Sequence, residues 1–104
     1  MTDRSARLGE DDVRRALATL DGWQHVGNRL QRTYRFRDFV EAVGYLTSAA
    51  MIVHELDHHP EWSNVGNVVR IDLTTHAAGG VTQRDVDLAC RLHELAGRRM
   101  ISPV

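Results

Sequence analysis

The spacing of apolar positions changes several times along this chain, and each change marks a predicted element. From about Glu10 to Leu20, Val13, Leu17 and Leu20 recur at helical spacing behind Glu10, Asp11 and Asp12, acids that suit a helix N-terminus. Gly22 supplies a stop. Trp23–Val26 and Arg29–Phe36 flank Gly27-Asn28, a pair that favours a tight hairpin, and Leu30, Arg32, Tyr34 and Phe36 share one face of the second strand. The longest apolar segment, Phe39–Leu56, is predicted as a helix opened by Asp38 with Glu41. Phe39, Val43, Leu46, Ala50 and Val53 line one of its faces, and Tyr45, Ala49, Ile52 and Leu56 an adjoining one. That surface is broader than one small sheet needs, so a second subunit is expected against it, in a homodimer or homotetramer.

Pro60 limits the long helix, because the residue before a proline avoids the helical region. Strands are predicted at Glu61–Val65 and Val68–Thr75. In the latter, Val69, Ile71, Leu73 and Thr75 oppose Arg70, Asp72, Thr74 and His76, the alternation of a half-exposed antiparallel strand. After the Gly79-Gly80 loop a last helix starts at Thr82-x-x-Asp85 and runs to about Arg99, with Leu88, Leu92 and Leu95 on one side. The expected order is α-β-β-α-β-β-α: a four-stranded antiparallel sheet with helices on one face, the α+β class. At 104 residues the chain is read as a single domain, residues 1–8 forming a flexible lead.

A formal net charge of −1, with arginines interspersed among acids, offers no basic field for nucleic acid or an anionic membrane. The apolar run near Ala49–Val53 is too short to span a bilayer. A lone cysteine, Cys90, allows no intrachain disulfide, and Met1–Leu8 lacks the apolar core of a secretory signal, so the expected compartment is the cytoplasm.

Four of the six histidines, His54, His58, His59 and His76, fall near the junction of the long helix with the second strand pair. Imidazole is the side chain whose ordinary pKa lets it give and take protons near neutrality. His58 and His59 stand where the helix stops at Pro60, and His76, at a strand end, is placed to converge on the same corner. A rival pattern overlaps them: His54-Glu55-Leu56-Asp57-His58 matches the H-E-x-x-H form of zinc proteases. Against it stand the early stop at Pro60, the shortness of the chain, the charged Asp57 and the lack of a clear third ligand. His25 and His93 read as surface or packing residues, Cys90 as a small core residue, and Asp85 as a cap partner.

The run Glu55-Leu56-Asp57-His58-His59-Pro60-Glu61-Trp62-Ser63-Asn64-Val65, continuing to Leu73-Thr74-Thr75-His76, closely resembles the pterin-4a-carbinolamine dehydratases, as do Phe36-Arg37-Asp38-Phe39 and Arg84-Asp85-Val86-Asp87-Leu88-Ala89. The resemblance covers the chain from about Leu8. It implies removal of water from a 4a-hydroxytetrahydropterin, giving the quinonoid dihydropterin, with no metal or organic cofactor. It makes His58, His59 and His76 catalytic, with His58 and His76 as the acids and His59 against the pterin. It further gives Asp57, Thr74, Thr75 and Ala77 as substrate contacts, and Trp62 as a pocket wall or a core aromatic. Animal members of the family also act as dimerisation cofactors of a homeodomain transcription factor, so a non-catalytic binding role is the rival implied. Two positions depart from the family pattern: His54 stands where an acid is common, and Gly66 where many members carry an aromatic. The missing ring at Gly66 is expected to leave the pterin pocket more open.

Overall fold

The computed structural model describes residues 4–99. Its elements run α1 (Glu10–Leu17), β1 (Gln24–Val26), β2 (Arg29–Arg35), α2 (Phe39–Leu56), β3 (Glu61–Val65), β4 (Val68–Leu73) and α3 (Gln83–Arg99), with a 3-10 turn at His76–Ala78. The strands form one antiparallel sheet in the order β1-β2-β4-β3. This is the α+β arrangement expected from the sequence.

The alternation in β2 and β4 decides which face is covered. Leu30, Tyr34, Phe36, Val69, Ile71 and Leu73 are buried with Ala42, Tyr45, Ala49 and Val53 of α2 and Leu88, Ala89 and Leu92 of α3. Tyr34, Phe36 and Tyr45 cluster with ring centroids 4.9–6.3 Å apart, and the Tyr45 hydroxyl donates to the Leu92 carbonyl at 3.0 Å. Arg32 breaks the apolar row as expected yet is buried as well. Its guanidinium lies 4.2 Å over the Tyr34 ring and donates to the carbonyls of Asp21 and Thr33.

Several predicted boundaries shift for local reasons. α1 ends at Leu17 rather than Leu20, because Ala18, Thr19 and Leu20 bond back three residues and tighten the chain; Leu20 is buried nonetheless. Trp23 precedes β1 instead of opening it, and β2 stops at Arg35, where Phe36 turns to bond Asn67. β4 ends at Leu73, two residues early, since Thr75 leaves the ladder to bridge Gly80. The two expected apolar faces of α2 are covered unequally: Tyr45, Ala49 and Val53 are buried, Leu46, Ile52 and Leu56 are partly buried against the core, and Phe39, Val43 and Ala50 are exposed, as are Val40 and Met51, which neither face included. The predicted N-cap holds, Asp38 Oδ1 accepting from the Glu41 amide at 2.8 Å.

Candidate active site

The site begins where α2 ends. Asp57 sits in the left-handed region (φ 50°, ψ 44°), its amide donating to the His54 carbonyl and the His58 amide to the Val53 carbonyl. These two bonds form a Schellman ending, a place usually taken by glycine. A non-glycine residue held there costs about 1 kcal/mol, least for Asp and Asn. The turn drives His58 inward and leaves His59 facing solvent.

His58 Nε2 lies 2.5 Å from Oδ1 of Asp85, a carboxylate with no solvent exposure. Oδ2 of the same carboxylate accepts from the Thr82 amide at 2.9 Å and from the Thr75 hydroxyl at 2.8 Å, while Thr75 and Thr82 share a further 2.8 Å contact. The Thr82 hydroxyl in turn accepts from the Arg84 amide. Asp85 is therefore the cap partner expected from the sequence and also the anchor of His58, a second role that the sequence reading missed. Nothing in the one-dimensional pattern distinguishes a capping Asp that also meets an imidazole 27 residues upstream. The contact engages Nε2 of the imidazole and leaves Nδ1 as the ring nitrogen outside that bond.

His59 and His76 differ from His58 in exposure: their side chains are 70% and 79% accessible. Each also faces a carboxylate, Asp57 Oδ1 at 3.6 Å from His59 Nε2 and Glu61 Oε1 at 3.7 Å from His76 Nε2. All three imidazoles thus have an acid beside Nε2, one buried and two open. Pairing of Glu61 with Asp72 sets the start of β3 beside the end of β4, bringing the segments that carry His59 and His76 to one end of the sheet. Trp62 is half-buried against the core, Ala77 is exposed, and the Thr74 hydroxyl is engaged by the Asn28 carbonyl at 2.7 Å. A cavity of about 210 Å³ opens beside His58, lined by Arg4, Leu56, Arg84 and Asp87.

The rival metal pattern and several single-residue readings are decided at this end of the molecule and beyond it. The H-E-x-x-H pattern does not present two imidazoles on one helical face, because His58 has left the helix and turned to Asp85 while His54 stays exposed on the last turn. Cys90 is on the exposed flank of α3, not in the core, and desolvation pushes its thiol up, away from a reactive thiolate. Gly66 does not border the histidines. It occupies the β3–β4 turn at φ 58°, and the whole of β3, roughly 13 Å of strand, separates it from His59. His93 is a packing residue, one of the two readings the sequence allowed: its Nδ1 is 2.7 Å from the Tyr34 hydroxyl, which also accepts from Trp23 Nε1 at 2.9 Å. Burial pushes Tyr34 up to about 12, against the lowering effect of its Trp23 bond and the Arg32 charge. Burial and the Arg32 charge push His93 down, and Asp21 opposes them.

The family model described as pterin 4 alpha carbinolamine dehydratase matches residues 6–95. The chain belongs to this dehydratase family. A relative from Solibacter usitatus that carries the family name is 45% identical over 88% of this chain and 97% of its own length, and one from Afipia carboxidovorans is 45% identical over 88% and 93%. Among solved structures, the transcriptional coactivator/pterin dehydratase from Brucella melitensis superposes with a TM-score of 0.84 at 42% identity, covering 88% of this chain and 99% of that one. A pterin dehydratase-like protein identified as a RuBisCO assembly factor in the alpha-carboxysome shares the dehydratase fold, with a TM-score of 0.61 at 21% identity over 72% of this chain and 87% of that one. Among the described residues, no helix is long and apolar enough to cross a membrane.

Proposed function

We propose that this protein dehydrates a 4a-hydroxytetrahydropterin to the quinonoid dihydropterin in the cytoplasm, returning the pterin for reduction, with His58, His59 and His76 as the proton-transfer groups. In that reaction the C4a–O bond breaks with its electron pair leaving on oxygen. The oxygen takes a proton and departs as water. A ring nitrogen supplies the electron pair to C4a and gives up its own proton to a base. One acid and one base suffice, each worth about a hundred- to ten-thousandfold. The observation that supports the reading is that each of the three imidazoles has a carboxylate beside Nε2, at the end of α2, just before β3 and just after β4.

The exposed imidazoles of His59 and His76 are free to meet a substrate, whereas His58, an acid by the resemblance, is fixed by Asp85 at Nε2 and would exchange its proton through Nδ1. A carboxylate hydrogen-bonded to a base in this manner fixes the tautomer and offsets the charge when the ring takes up a proton. Asp57, Trp62, Thr74, Thr75 and Ala77 complete the substrate-binding set. Of these, Thr75 would act indirectly, its hydroxyl being engaged with Asp85 and Thr82 and its main chain with Ala78 and Gly80.

The test is to follow loss of carbinolamine absorbance after generating the substrate in solution. The proposal expects the purified protein at micromolar concentration to exceed the spontaneous rate by at least about a hundredfold. A rate equal to the spontaneous one overturns it and leaves the binding-module reading, which the bare apolar face of α2 favours.

A further inference from the structure

Arg84 and Asp85 are consecutive residues in the first turn of α3, and both reach the Asp57–His58 turn. Asp85 holds the His58 ring at 2.5 Å, and Arg84 Nη2 donates to the main-chain carbonyl of Asp57 at 2.7 Å. The peptide between Asp57 and His58 is therefore held at both ends, its carbonyl by Arg84 and its N–H by the Val53 carbonyl at 3.4 Å. This peptide follows the one non-glycine residue with positive φ among the described residues, so its orientation is not what the chain would adopt unaided. A grip on the ring alone would leave the peptide free to rotate. Rotation there would swing the main chain into His59, whose side chain is exposed and held by no short hydrogen bond.

We infer that Arg84 is a positioning residue of the site: its guanidinium clamps the Asp57 carbonyl and so fixes where His58 and His59 point. The bond is made to main chain, so Arg84 acts through the turn and not on an imidazole. The inference rests on the dehydratase reading for its kinetic consequence, but the clamp itself is a statement about conformation. A charged donor on a carbonyl is among the stronger hydrogen bonds. The thermodynamic role of Arg84 is limited by its partial exposure, so misalignment, not unfolding, is the expected result of losing it.

The test compares Arg84→Gln and Arg84→Lys with the wild-type protein. Arg84→Gln should lower kcat at least about tenfold with KM within about twofold, and Arg84→Lys, which keeps a cationic donor, should recover most of that loss. In amide NMR spectra, His58 and His59 should shift or broaden in Arg84→Gln while the β1–β2 hairpin stays unmoved. A merely structural contact would lower the melting temperature and spare both the kcat–KM split and the localised amide changes. Wild-type kcat in Arg84→Gln with unmoved His58 and His59 amides overturns the inference. If Arg84→Gln fails to fold, Arg84→Ala, which removes the donor altogether, carries the same two readouts, with unmoved amides and wild-type kcat overturning it. Should the wild type show no dehydration, the functional reading falls and the amide shifts alone decide the clamp.

Discussion

Replacing Asp85 by asparagine separates its two roles. The change keeps the shape and one acceptor oxygen but removes the charge. With its oxygen turned to the cap, the asparagine side chain can still accept from the Thr82 amide and the Thr75 hydroxyl, which lie 2.9 and 2.8 Å from the Asp85 carboxylate. Its amide group then faces His58 Nε2, where two donors meet, and the imidazole must shift to the other tautomer or turn away. A hydrogen bond to a charged group contributes about 1.5–3 kcal/mol. Relief from burying a carboxylate offsets part of this, so the net destabilisation is about 1–2 kcal/mol. For a domain of this size that is a fall in Tm of about 5–15 °C. Asp85→Ala also strips the cap and strands several buried donors, costing about 3–5 kcal/mol. Activity should fall at least about a hundredfold in Asp85→Asn, out of proportion to the stability change, because the imidazole is presented in the wrong protonation pattern. Thermal melts, single-turnover dehydration and ¹⁵N shifts of the His58 ring check the three parts. Wild-type turnover with an unchanged His58 tautomer would refute the reasoning.

His59→Ala and His76→Ala should each slow dehydration at least about tenfold while leaving Tm nearly unchanged, since both side chains are mostly in solvent; kinetics with calorimetry decide it. The protein should be a homodimer or homotetramer through Phe39, Val40, Val43 and Met51, and Val43→Asp should dissociate it before it unfolds the subunit; light scattering that shows only monomer for the wild type at micromolar concentration counts against this. Because His93 has its pKa lowered on folding, the unfolded chain takes up its proton first. This residue's contribution is thus complete above about 6.5, its ordinary value, and lost as pH falls below it. Denaturant midpoints should drop between about pH 7 and pH 5 in the wild type and drop less in His93→Gln. Dialysis against a chelator should leave turnover unchanged, a loss restored by zinc being the contrary result.

The fold was legible in the sequence wherever period and capping agreed. Asp38 with Glu41 and Thr82 with Asp85 announced the starts of α2 and α3, and the alternation in β2 and β4 gave the covered face of the sheet. Boundaries were lost where a short-range bond outweighed the pattern, as at Ala18–Leu20 and at Thr75. On α2 the pattern contained two apolar faces and could not say that Val53 and Leu46 of the first would join the second against the core while Phe39, Val43 and Ala50 stayed exposed. At the site, residue type drew attention to His58, His59 and His76, but not to the difference between an anchored ring and two open ones. That difference depends on Asp85 and on the left-handed turn at Asp57, both of them tertiary facts. Gly66 misled for the opposite reason: nearness in sequence to Trp62 concealed that a hairpin turn carries it to the far end of the strand.

The division of the site into a buried half and an exposed half bears on how such a protein can change over generations. His58, Asp85, Thr75 and Thr82 join the end of α2, the end of β4 and the start of α3, so a lineage that loses one of them loses part of what joins its frame. His59 and His76 carry no such burden and can drift as soon as selection for chemistry is relaxed. Descendants that keep this architecture for binding alone should therefore retain the inner imidazole and its carboxylate long after the outer pair has gone.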